Sequence, residues 1–247
     1  MANLVSKEGQ DDTSRLLAEI AKGLAAGITG VAASDRKDLI LSLGHLFQRA
    51  RSGRFLKTLI DEWDQYREKG KIKDDYIRTE QHQECLQEML DFLDKDSPDE
   101  LRFSVLKKIF LVAATEAQSS RDSVLPQQYM RLCRALSGGE VLVLSATYHV
   151  AQHDFAIQKV AALKDSSASK WLAKIAEDSG LKYPELVEIH ERNLIEKNLL
   201  TKRELGDRSG VSLGEHYRLT GLGYEICQFL ESYEKNDMPN SSLQSDR

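Results

Sequence analysis

Apolar residues recur every three or four positions along most of this chain, the spacing of one face of an α-helix. Leu16, Leu17, Ile20 and Leu24 form the first such stripe, and Leu39, Ile40, Leu43, Leu46 and Phe47 form the second after a start at Ser34-Asp35. Phe55, Leu56, Leu59, Ile60 and Trp63 make a third, which Gly70 breaks. A helix opening at Asp74 or Asp75 carries Tyr76, Ile77, Cys85, Leu86, Met89, Leu90 and Leu93. Ser97-Pro98-Asp99-Glu100 then has Ser as N-cap, Pro at the first helical position and Glu at the third. The helix it starts is amphipathic through Leu101, Val105, Ile109, Phe110, Val112 and Ala113. After a linker from Ser119 to Val124, Leu125 to Leu136 predicts a short helix. Ser137-Gly138-Gly139-Glu140 repeats the capping box ahead of Val141 to Leu144. That helix is apolar nearly all round, which predicts burial at the centre of a helical body.

The pattern changes after Leu181. Pro184 suits the first turn of a helix, with Leu186, Val187, Ile189, His190, Leu194 and Ile195 as its apolar positions and Glu185, Glu188, Glu191, Arg192 and Glu196 as its solvated face. Asn198-Leu199-Leu200-Thr201 is short and apolar, and the polar, glycine-bearing Lys202 to Gly210 suits an exposed hairpin turn. His216 to Leu219 alternates as a second strand would, and Thr220 caps a helix with Leu222, Ile226, Phe229 and Leu230 on its apolar face. Helix, strand, turn, strand, helix is the order of a winged helix.

The expected fold is mainly α: a helical bundle body followed by a C-terminal winged-helix-like domain with a small β-hairpin wing. Its divisions are a flexible arm over 1–12, the body over 13–165, the winged-helix-like domain over 166–234 and a disordered tail over 235–247.

Two stretches carry a family likeness. The ending Leu219-Thr220-x-x-Gly223 resembles the close of many bacterial winged helices. Together with Glu100-Leu101-Arg102 and Leu136-Ser137-Gly138-Gly139-Glu140, in that order, it resembles the Abi-alpha family, small bacterial proteins named for abortive infection. The resemblance covers Asp99 to Leu230, with a departure from the usual spacing at Ala156 to Ser169. It implies a non-enzymatic anti-phage or abortive-infection component that acts through protein partners.

Composition narrows the alternatives. The chain has 247 residues, 30% of them charged, and a formal net charge of −5. From Lys170 to Ser232 nine Lys and Arg stand against eleven Asp and Glu. A duplex binder needs a basic face to displace counterions, so a DNA-binding transcriptional regulator is the second reading, resting on a wing that carries Lys202, Arg203 and Arg208. Arg49, Arg51, Arg54 and Lys57, around a turn expected at Ser52-Gly53, form the densest basic patch and a second surface for an acidic partner or a phosphate. A third reading is a membrane-acting effector through residues 16–33, where Gly23 and Gly27 form a GxxxG pair. Charge disfavours nucleic acid, and no run reaches the roughly 18 apolar residues a membrane span needs. Cys85, Cys133 and Cys227 are widely spaced without a CxxC, which points to buried thiols and a cytoplasmic setting.

Catalytic patterns are weak. His149 and His153 stand four apart on one helix, as in zinc-binding helices, but the sequence between them lacks the Glu of an HExxH site. Asp61, Glu62 and Asp64 read as a solvated helical face. Gly138-Gly139 lacks the Lys-Ser/Thr of a phosphate loop. The reading is of a protein without an active site, metal or cofactor, whose partner is another protein or a second copy.

Overall fold

A computed structural model describes residues 50–72, 76, 79–96, 98–115, 125–157, 168–202 and 218–237. The N-terminal arm, the stripe over residues 16–33 with its Gly23 and Gly27, Arg49, most of the wing (203–217) and the tail beyond Asp237 lie outside these residues. The protein is mainly α. Among the described residues there are eight helices: α1 Ala50–Glu68, α2 Glu80–Lys95, α3 Glu100–Thr115, α4 Leu125–Arg134, α5 Gly138–Ile157, α6 Ala168–Ser179, α7 Pro184–Glu196 and α8 Gly221–Asp237. They belong to two compact units, Met1–Arg131 and Leu132–Arg247, and the divide falls inside α4.

In the first unit α1, α2 and α3 pack on one another. Trp63 of α1 is 1% exposed, and its ring lies 5.3 Å from both His82 of α2 and Phe110 of α3. Phe55 stacks on Phe103 at 4.5 Å, and Lys107 reaches across to pair with Glu62. Aromatic contact of this kind adds to the stabilisation from apolar area alone.

Helix α1 departs from the sequence reading at Ser52-Gly53, where a turn was expected. The helix runs straight through, both residues are buried, and Ser52 Oγ donates to the carbonyl of Leu93 at 2.8 Å. Packing a small polar residue against the end of α2 outweighs the local preference of Ser-Gly for a turn. Thr79 caps α2, its Oγ1 accepting from His82 N at 3.2 Å, while Asp74 and Asp75, where a helix start is expected, lie outside the described residues. One helix start also shifts. Asp99, rather than Ser97, caps α3 by accepting from Arg102 N at 2.9 Å. A carboxylate there satisfies the open N–H groups and complements the helix dipole.

In the second unit α5, α6 and α7 pack on one another, and α8 packs on α5. Helix α5 therefore has the C-terminal helices as its neighbours within this unit; it is not buried all round as expected, since Ser145, His149 and Gln152 form an exposed polar stripe. Its capping box forms as expected, Ser137 N donating to Glu140 Oε2 at 2.6 Å and Glu140 N to Ser137 Oγ at 3.3 Å. Helix α8 runs on to Asp237, three residues into the expected tail, and is tied to α5 by Tyr148 Oη donating to Glu231 Oε2 at 2.7 Å.

The connection between α7 and α8 carries the only β-pairing among the described residues, an isolated antiparallel bridge between Leu200 and Leu219. Helix α7 ends with Leu199 N donating to Leu194 O at 2.9 Å and Asn198 N to Ile195 O at 3.0 Å, with Asn198 at φ 57°. This is the left-handed helix stop. Thr201 N then donates to Arg218 O at 2.7 Å, and Thr220 N to Leu199 O at 3.1 Å. Thr220 Oγ1 accepts from Gly223 N at 3.0 Å and donates to Asn198 O at 2.7 Å, capping α8 and tying it to the stop of α7. A Cβ on Gly223 would lie 2.2 Å from the Leu199 carbonyl oxygen, so only glycine lets α8 come this close. The Thr-x-x-Gly spacing thus has a cause: the hydroxyl caps the helix and the glycine admits the backbone.

Cys85, Cys133 and Cys227 are buried free thiols. Burial pushes Cys85 and Cys133 up to about 12, so both stay protonated and unreactive near neutral pH.

Gly223→Ala should destabilise the protein by about 1–3 kcal/mol, the cost of overpacking against fixed backbone. Gly221→Ala, two residues earlier, meets open space and should be neutral or stabilising by up to about 1 kcal/mol. Denaturant unfolding of the two variants side by side checks the contrast.

Candidate functional site

Helix α7 is placed by groups that its sequence pattern misassigns. Val187, Glu191 and Leu194 form its buried face. Glu191 was read as solvated, yet it is 2% exposed, and its Oε1 accepts from Arg218 Nη1 at 2.5 Å and from Trp171 Nε1 of α6 at 2.8 Å. Arg218 is wholly buried. Its Nη2 donates to Thr201 O at 3.0 Å, and its guanidinium carbon lies 5.7 Å from the centre of the Trp171 ring. A charge removed from water in this way needs its partner and its hydrogen bonds together.

The amino end of the unit is fixed by a second polar cluster. Glu140 of α5 is 3% exposed and accepts from Lys197 Nζ at 2.9 Å. Burial alone would raise its carboxyl. Hydrogen bonds from Ser137 N–H, Lys197 and Asn193, with the Lys197 charge, outweigh that and hold it below its usual range. At Gly139 an added Cβ would fall 2.1 Å from His190 Nε2, so α5 and α7 are in close contact there.

With Glu191 inward, part of the expected apolar stripe turns outward. Leu186 is 40% exposed and Ile189 50%, and Tyr183, at the N-cap just before α7, is 63% exposed. These three and Leu125 are the exposed large apolar residues among those described. Glu185, Glu188, Arg192 and Glu196 are exposed on the same helix. The sequence itself carries a sign of this outward turn. At about 100° per residue the six apolar positions from Leu186 to Ile195 spread over more than half the helix circumference, too wide for one buried stripe.

The other expected site residues are dispersed. Lys202 is exposed just after the bridge, while Arg203 and Arg208 lie outside the described residues. Of the basic patch, Arg51 lies within α1, and Arg54 and Lys57 are exposed; Arg54 pairs with Glu100 at 2.7 Å. His149 is exposed on α5 and borders an open groove of about 500 Å³ with Ser145, Lys174 and Asp178. Lys174 and Asp178 pair with each other at 2.6 Å across that groove's α6 side. His153 lies on the same helix, but its side chain is outside what the structure describes. Among the described residues no group of three His, Cys, Asp or Glu is placed to hold a metal ion. No helix among them is long and apolar enough to cross a membrane.

Compared with protein-family models, with curated proteins and with solved structures, the chain matches none.

Two outcomes test this geometry. Arg218→Met leaves the Glu191 carboxylate buried without its cation and should cost about 3–5 kcal/mol, while pairing it with Glu191→Leu should recover most of that loss in denaturant unfolding. Glu140 has a lowered pKa in the folded state, so its ionised form favours folding. That contribution is complete above the unfolded glutamate value of about 4.3 and is lost as pH falls through the lower folded value. Unfolding free energies should therefore show Glu140→Gln less stable than the parent at neutral pH, with the gap closing in acid.

Proposed function

We propose that this chain is a non-enzymatic interaction protein whose C-terminal unit is winged-helix-like and docks protein through the outer face of α7. The carrying observation is the exposure of Tyr183, Leu186 and Ile189 on the helix that would enter a DNA groove in a winged-helix regulator. The winged-helix reading is supported by the order of parts: three mutually packed helices α5, α6 and α7, a bridge from Leu200 to Leu219, and a closing α8. Exposed aliphatic side chains among carboxylates suit a protein surface, since apolar area released from water favours association and phosphates repel the carboxylates. An anti-phage or abortive-infection role is the further proposal, and the resemblance to the Abi-alpha family supports it.

DNA regulation, the second reading, has Lys202 and the wing in its favour. The α7 face opposes it, with Glu185, Glu188 and Glu196 against Arg192 among the exposed charges.

The test is capture from the source cells with and without nuclease, using the parent chain and Ile189→Glu. Retention of a protein chain that survives nuclease and is lost from Ile189→Glu is the expected result. Retention that nuclease or raised salt removes, and that Lys202→Glu with Arg203→Glu abolishes, would establish the DNA reading instead.

A further inference from the structure

The charge carried by α7 defines the kind of partner its outer face takes. Among its exposed residues Glu185, Glu188 and Glu196 stand against one cation, Arg192. Even with Lys182, which lies before the helix at φ 63°, the balance stays acidic, because Lys197 at the far end is engaged with the buried Glu140 at 2.9 Å. We propose that the outer face of α7 docks a basic amphipathic segment of a partner protein, in which an aliphatic or aromatic anchor stands between lysines or arginines. This rests on the reading of that face as a protein-docking surface.

Helix geometry arranges these groups. At about 100° per residue, Leu186 lies about 60° from Ile189 on one side, while Glu196, Glu185 and Glu188 lie about 20°, 40° and 100° round on the other. The outward arc thus has an apolar side and an acidic side. With a rise of about 1.5 Å per residue, Glu185 lies about 6 Å before Ile189 along the axis and Glu196 about 10 Å after it. A partner whose anchor covers Ile189 and Leu186 therefore brings the groups flanking that anchor alongside Glu185 and Glu196. Burying apolar area beside a carboxylate strips part of its water, and a cation from the partner offsets that loss. One arginine neutralises one of the three carboxylates, so the other two select the partner's charge. The same excess rejects other occupants. A second copy of α7 brings carboxylates against carboxylates, and the phosphates of nucleic acid or anionic lipid are repelled. A neutral or acidic segment covers Ile189 only by leaving those carboxylates partly desolvated without a counter-charge. Apolar contact supplies the attraction, and the sign of the charge supplies the specificity.

One helix face makes an interface at the small end of the range, below about 1,200 Å² in total, so binding should be weak and salt-sensitive. The probe is a randomised peptide library displayed on phage, selected on the immobilised full chain and counter-selected against Ile189→Glu. The peptides that remain should be enriched in Lys and Arg on both sides of an aliphatic or aromatic residue. Synthesised singly, they should lose about tenfold in affinity when Glu185→Gln, Glu188→Gln and Glu196→Gln are combined, a difference that raised salt should narrow. The same three positions changed to lysine should select acidic peptides instead. Selected peptides that are neutral or acidic, or basic ones that bind the triple glutamine variant as tightly as the parent, would overturn the basic partner and leave the docking face standing. A selection that yields no peptide sensitive to Ile189→Glu would overturn the docking face itself. All the substituted side chains are exposed, and unfolding midpoints close to the parental value confirm that folding is not what changed.

Discussion

The C-terminal unit depends on one buried ion pair. Arg218 and Glu191 are both essentially removed from solvent, and Trp171 donates to the same carboxylate oxygen. Three segments meet there: α6 through the indole, α7 through the carboxylate, and the chain that returns toward α8 through the guanidinium. Desolvating two charges costs several kcal/mol, and their attraction in a low dielectric roughly offsets it, so the pair adds little net stability. Any packing that separates these groups leaves a bare charge in an apolar interior, a cost that disfavours alternative registers for α7.

The same constraint exposes Leu186 and Ile189. A helix has one circumference, and turning Glu191 inward rotates Ile189, two residues back, outward. The outward apolar residues are therefore a geometric companion of the buried carboxylate. The first unit contrasts with this. There Trp63, His82, Phe110, Phe55 and Phe103 fill the centre, and the ion pair of Glu62 with Lys107 lies at its margin. Apolar packing tolerates small errors of direction; a buried charge pair with a shared oxygen does not.

Much of the helical architecture was legible in the sequence because its signals are local. Gly70, Pro184, the Ser137–Glu140 box and the Thr220 cap act within a few residues, and the helices begin or end beside them. The misreadings occurred where long-range contact overrode a local preference. Ser52 is helical because Leu93 offers a carbonyl forty-one residues away. Asp99 displaced Ser97 as a cap between two residues equally suited to the task. Glu191 reads as solvated because its partners, Trp171 and Arg218, are twenty and twenty-seven residues distant; periodicity shows only that the apolar positions are too widely spread for one stripe, not which residue turns inward. The site inherited that error, since the exposure of Leu186 and Ile189 follows from where Glu191 points.

The paired bases of the bridge have a consequence for how this chain tolerates change. Thr201 and Arg218 are joined through backbone and side chain, so the two ends of the intervening stretch are held together by groups that belong to the helical unit. The entropy of closing such a stretch grows only slowly with length, about 0.6 kcal/mol for each doubling. Insertions between these two residues are thus nearly neutral to the fold, whereas a one-residue slip at either end breaks the charge pair. Between Thr201 and Arg218 the chain has room to acquire a new recognition segment without renegotiating its core.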